Sequence, residues 1–158
     1  MLSGASGQFY GSKYTWTFSA GWQNNLNTPG AAQFGYMSNF FASRPWHNLV
    51  PDQDHTVVTA GYGTYSAAGE VNTNDYLTAA RTLDGTVVIA YMPTSRTISV
   101  DLSKLSGVAT ARWYDPSNGT YTAIAGAPFA NTGTRNFSPP GNNHDGDTDW
   151  VLVLEVSS

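Results

Sequence analysis

The sequence contains no cysteine, which excludes disulfides, zinc–thiolate sites and thiol nucleophiles. Charge is also scarce. Charged residues make up 11% of the chain, against about 25% in an ordinary soluble domain. Polarity comes instead from Ser, Thr, Asn, Gln and Gly, a balance common in extracellular β-proteins. The five Arg and two Lys are scattered, so the basic footprint of a nucleic-acid-binding surface is missing. For the same reason an anionic membrane is not an expected partner. No apolar run approaches the ~18 residues that span a bilayer; the run Val151 to Leu154 has the length of a strand. The start, Met1-Leu2-Ser3-Gly4, lacks the basic and apolar regions of a signal peptide, and the natural chain is expected to begin further upstream.

Catalytic signals are equally thin. Only two glutamates occur, Glu70 in a Gly/Ala/Asn stretch and Glu155 near the C-terminus. Neither has a neighbouring acid that would make the paired carboxylates of glycoside hydrolysis. Nucleophile-elbow, zinc-protease and phosphate-loop motifs are absent. The three histidines, His47, His55 and His144, are far apart in sequence and read as surface or turn residues.

What the chain does have is aromatic residues and turn formers within 158 residues, enough for one domain with a real core. The pattern divides near residues 45–55. Gly7 to Phe18 alternates briefly and is expected to hold a strand and a loop. Thr28-Pro29-Gly30 opens a helix, with Thr28 as cap and Pro29 at the first helical position. Phe34, Met37, Phe40 and Phe41 then recur at helical spacing, and Arg44-Pro45 ends the element, giving a helix over about 29–43. Left unpacked, that stripe would be exposed.

From residue 55 the period becomes two. Strands are expected at 55–60, 76–83, 86–91, 97–102, 109–114, 120–124, 136–137 and 150–156. Asp84-Gly85 is the best hairpin signal, and Asp115-Pro116 with Gly119 builds a compact turn. The unbroken run after Trp150 predicts a strand buried on both faces. Short strands with turn signals between them define a mainly β fold, an antiparallel β-sandwich with one N-terminal helix.

Two segments are chemically loaded. Sugars stack on Trp and Tyr faces and pair their hydroxyls with amides and carboxylates. Tyr62, Tyr65 and Tyr76, set around Asn72-Thr73-Asn74-Asp75, fit such a platform, with Asn74 as a polar contributor. Trp113 and Tyr121, flanking the Asp115 turn, form a candidate second one; the competing reading is that rings at alternating strand positions are core, which suits Trp113 and Trp150. The other segment is the acidic loop, where Asp145, Asp147 and Asp149 offer oxygens to Ca²⁺. Its spacing is not that of an EF-hand, and the alternative is a loop whose side chains bond its own backbone. No other cofactor is expected.

Four ordered motifs carry a family resemblance: Trp46-His47-Asn48-Leu49-Val50-Pro51-Asp52; Arg81 to Gly85 followed by Val88 to Pro93; Trp113-Tyr114-Asp115-Pro116-Ser117-Asn118-Gly119; and Asp147-Thr148-Asp149-Trp150 with Val151 to Leu154. Over residues 46–155 the chain resembles the C-terminal domain of apiosidase-like glycoside hydrolases, the family labelled "putative collagen-binding domain of a collagenase". Residues 1–45 resemble the last β/α unit of that enzyme family's (β/α)₈ barrel. The resemblance implies a jelly-roll-like or immunoglobulin-like sandwich at 46–158. It implies a secreted, extracellular or periplasmic setting and the catalytic barrel of a polysaccharide-degrading enzyme as intramolecular partner; a polysaccharide or oligosaccharide ligand is the expectation from the aromatic and amide content. The family's catalytic acids lie on earlier barrel strands, so no catalytic residue carries over. Nothing in the composition points to collagen. Three functions follow for comparison: a carbohydrate-binding accessory module, a structural domain packed on a barrel, and a small enzyme, the last with least in its favour.

Overall fold

A computed structural model describes residues 1–67 and 73–157; Glu70 and Asn72, both named above, lie outside the described residues. The described strands are β1 (Leu49–Pro51), β2 (Val58–Ala60), β3 (Thr78–Thr82), β4 (Val87–Met92), β5 (Ile98–Asp101), β6 (Ala109–Tyr114), β7 (Tyr121–Ala123), β8 (Thr134–Phe137) and β9 (Trp150–Val156). They form two antiparallel sheets, one of six strands in the order β1-β3-β4-β9-β6-β7 and one of three in the order β2-β5-β8. The expected mainly β, antiparallel sandwich is the fold observed.

Strand alternation sorts the six-stranded sheet into two cores. Val88, Ala90, Met92, Trp150, Leu152, Leu154, Ala111 and Trp113 face the small sheet, where they meet Val58, Ile98, Val100 and Phe137. Val87, Ile89, Val151, Val153 and Tyr114 face the other way and meet Phe40, Phe41 and Leu2. The central strand β9 is thus covered on both sides, as its continuous apolar run predicts. Each large side chain so buried contributes about 1.5–3 kcal/mol.

The second cover is the helix α2 (Pro29–Ala42). Thr28 caps it, its hydroxyl accepting the Ala31 N–H at 3.4 Å. Its end falls one residue before the expected boundary. Phe40 and Phe41 bury on the sheet while Phe34 and Met37 are half-buried, so the stripe packs on the sandwich.

The strand expected within Gly7–Phe18 is not found. That region holds only the single-turn helix α1 (Lys13–Trp16), started by the Ser12 carbonyl, which accepts the Thr15 and Trp16 N–H groups. Among the described residues this segment pairs with no strand, so local bonds decide the backbone. Phe9, Trp16 and Phe18 stand exposed there.

The Asp84-Gly85 hairpin is also looser than a two-residue turn. Residues 83–86 connect β3 to β4, Gly85 alone takes a positive φ (70°), and the Asp84 carboxylate accepts the Thr86 N–H and hydroxyl. Among the described residues, no helix is long and apolar enough to cross a membrane.

Candidate functional site

The loop after β2 makes a sharp reversal that needs glycine. Gly61 has φ +89°, and a Cβ there would sit 2.5 Å from the Thr97 carbonyl oxygen; at Gly63, with φ +79°, it would collide with Arg96. Asp75 fixes this loop from the far side. Its carboxylate accepts the Thr64 N–H at 2.6 Å and the Thr94 hydroxyl at 2.9 Å, and pairs with Arg96. These donors, the Thr64 N–H foremost, hold the Asp75 carboxyl below the usual carboxylate range.

The result is a cluster of rings. His55 and Tyr62 stack at 3.9 Å with a 21° tilt; Tyr62 and Tyr76 stack at 5.3 Å; Tyr65 meets Tyr76 edge-on at 5.8 Å. The Tyr76 hydroxyl and His55 Nε2 lie 2.7 Å apart. Tyr65 is 67% exposed, while Tyr62 and Tyr76 are half-buried. The rings border a cleft of about 430 Å³ that Asp52, Gln53 and Thr78 also line, within the ~300–1,000 Å³ usual for ligand sites. Asn74 belongs to this site indirectly, its side-chain oxygen accepting the Tyr76 N–H.

Asp52, the last residue of the tryptophan-led motif, organises the base of the cluster. Its two oxygens accept the N–H groups of Thr56, Val57 and Val58, the Thr56 hydroxyl, and the Tyr62 hydroxyl at 3.3 Å. That hydroxyl also bonds the Val58 carbonyl. Burial, then the adjacent Asp52 charge, pushes the Tyr62 phenol above its ordinary pKa. His55, read from sequence as a surface or turn residue, is thus part of the ring cluster. Its positive φ of 54°, set by the turn that Asp52 holds, could not be anticipated from its isolated position.

Trp113 and Tyr121 do not form a second platform. Trp113 is 3% exposed in the core between the sheets, because it occupies an inward position of β6. Tyr121 is 38% exposed, but its ring is engaged by the Arg112 guanidinium at 4.4 Å and by Tyr114 at 4.9 Å. Its hydroxyl accepts a bond from Arg44 at 2.9 Å. Tyr121 therefore belongs to a clamp in which Arg44 and Arg112 share the Glu155 carboxylate.

In the acidic loop the organiser is Asn143. Its side-chain oxygen accepts the Asp145 and Asp147 N–H groups, and its amide donates to Asp149 at 2.7 Å. The other Asp149 oxygen accepts the Tyr91 hydroxyl at 3.2 Å. Asp145 is engaged by Gln33 and His144. The Asp145 and Asp149 carboxylates are thus engaged by different partners, and among the described residues no group of three or more His, Asp or Glu is arranged to hold a metal ion. Burial raises the Asp149 carboxyl above its ordinary pKa. Beside it, between α2 and the outer face of the six-stranded sheet, opens a second cleft of about 660 Å³, lined by Phe34, Met37, Tyr91, Asp147 and Asp149 among others.

The two sheets and the helix laid across one of them define an antiparallel β-sandwich domain. Residues 50–155 match the family described as "Putative collagen-binding domain of a collagenase", and the chain belongs to that family. Two solved structures are similar over more of its length. One, titled "Glycoside hydrolase", is 30% identical with a TM-score of 0.67, covering 86% of this chain and 27% of that one. The other, a glycoside hydrolase family 5 protein from Bacteroides vulgatus ATCC 8482, is 25% identical with a TM-score of 0.67, covering 97% of this chain and 29% of that one. The chain therefore spans less than a third of either protein. No curated protein matches it.

Proposed function

We propose that this chain is a non-catalytic accessory domain of a secreted glycoside hydrolase and that it binds carbohydrate through the His55–Tyr62–Tyr65–Tyr76 cleft. The observation that carries the reading is the convergence of four rings on one cleft with Tyr65 largely open to solvent. Ring faces offer stacking to sugar C–H groups, and Gln53 and the Tyr76 hydroxyl offer polar contacts at the same edge. The likeness to parts of two glycoside hydrolases supports the accessory role. Glu155, held by two arginines, is engaged as a structural anion rather than as an acid–base group.

A different observation favours a second reading, a domain that packs on a catalytic barrel without binding a ligand. Phe9, Trp16 and Phe18 are 104%, 81% and 69% exposed in the N-terminal segment, a concentration of apolar surface that suits a protein contact.

The test is retention on insoluble cellulose, xylan, pectin and chitin, with collagen alongside, comparing the chain with its Tyr65→Ala variant. Retention on one polysaccharide that the variant loses supports the binding module. No retention on any of them supports the packing role.

A further inference from the structure

The ring cleft and the cleft beside Asp149 are not isolated from one another. Leu2, Ser3 and Thr78 line both, so the two clefts adjoin at the start of β3. On one side lies the tyrosine cluster. On the other, Phe34 and Met37 of α2 form an apolar wall opposite Tyr91 and the two aspartates.

Building on the carbohydrate-binding reading, we infer that the two clefts act as one extended groove that takes a neutral oligosaccharide chain rather than a single sugar. Three features support this. The combined groove is larger than one ring needs, since each cleft alone falls in the ~300–1,000 Å³ range of a small-molecule site. Its far half pairs apolar wall with hydrogen-bond acceptors: the Asp147 carboxylate makes no hydrogen bond to the described residues, and an ionised carboxylate accepts from sugar hydroxyls at several lone pairs. Finally, among the described residues no Lys or Arg lines either cleft, while Asp52, Asp147 and Asp149 do. A uronate chain would meet like charge at these aspartates, whereas a hydroxyl-rich neutral chain meets a complementary acceptor at Asp147.

The experiment is calorimetric titration of the full chain with neutral cello-, xylo- and manno-oligosaccharides from disaccharide to hexasaccharide, and with oligogalacturonate of matching length. Tyr65→Ala and Asp147→Asn are titrated in parallel, and thermal melts confirm that both remain folded. For one neutral series the hexasaccharide should bind roughly tenfold more tightly than the disaccharide, with oligogalacturonate at least that much weaker. Asp147→Asn should weaken the hexasaccharide and leave the disaccharide unchanged; Tyr65→Ala should weaken both. If Tyr65→Ala abolishes binding while Asp147→Asn changes nothing at any length, the groove is wrong and the ring cleft alone is the site. If saccharides bind but Tyr65→Ala has no effect, or if no neutral oligosaccharide binds, the underlying reading fails and the groove with it.

Discussion

Arg44 Nε lies 3.2 Å from Glu155 Oε1, joining the end of the helix to the last strand across 111 residues of sequence. The guanidinium also sits over the Phe40 ring at 4.0 Å, and Arg112 takes the other Glu155 oxygen. The Arg44 side chain is 5% exposed, so removing its carboxylate leaves a nearly buried cation without its counter-charge. Glu155→Gln should cost about 3 kcal/mol, the lower end for breaking a buried pair because Glu155 itself is partly solvated. Arg112→Ala, on the open side of the same carboxylate, should cost less than about 1 kcal/mol. Urea unfolding of the two variants checks the asymmetry; equal losses would contradict it.

Tyr65 separates binding from stability. Its ring is largely in solvent, so Tyr65→Ala should change unfolding free energy by no more than about 0.5 kcal/mol. Saccharide affinity should nevertheless fall by roughly tenfold, equivalent to ~1.4 kcal/mol. Chemical denaturation and titration on the same sample read both quantities.

Trp150 should behave in the opposite way. It is 4% exposed, lies in the core between the sheets, and donates its indole N–H to the Gly141 carbonyl at 2.8 Å. Trp150→Ala should destabilise the fold by about 3–5 kcal/mol. A loss below about 1 kcal/mol in urea unfolding would mean that the indole is not a core element.

Asp75 gives the ring loop a pH dependence. Its carboxyl is held low by the Thr64 N–H, the Thr94 hydroxyl and Arg96. The unfolded chain therefore takes up the proton first as the pH falls. The stabilisation is complete above the ordinary carboxylate value of about 4 and is lost as pH falls through the depressed one. Asp149 has the opposite sign: with its carboxyl raised by burial, the folded state protonates first, and that contribution favours folding as the pH drops. Melting temperatures of the chain and of Asp75→Asn, measured between roughly pH 2 and 7, should differ at neutral pH and converge in acid. Parallel curves would show that Asp75 does not hold the loop.

Where the fold was legible, one periodicity dominated. The boundaries of β6 and β9 follow from alternation and from an unbroken apolar run, and α2 follows from a cap, a proline and a 3.6-residue stripe. The short strand β1 was not anticipated. Its three residues carry no period, and it exists because Val50 and Pro51 find partners on β3. The N-terminal strand was expected and did not form, since alternation without a neighbouring edge has nothing to pair with. The site was half legible. Tyr62, Tyr65 and Tyr76 come together as a cluster, but His55 enters through a stack on Tyr62 that the intervening turn sets up, and Trp113 and Tyr121 are absorbed by packing. Ring chemistry is written in the sequence; which face a ring shows depends on register and on partners such as Arg44, 77 residues from Tyr121 in the chain.

The double cover of the six-stranded sheet sets where this protein can be cut. The family match begins at residue 50, yet Phe40, Phe41 and Leu2, which seal Val87, Ile89, Val151 and Val153, lie before it. A version trimmed to residues 50–155 would present a bare aliphatic sheet face to water, the kind of surface through which copies adhere to one another. The span of the family match is thus narrower than the packed unit, and the helix outside that boundary serves as the lid of the domain inside it.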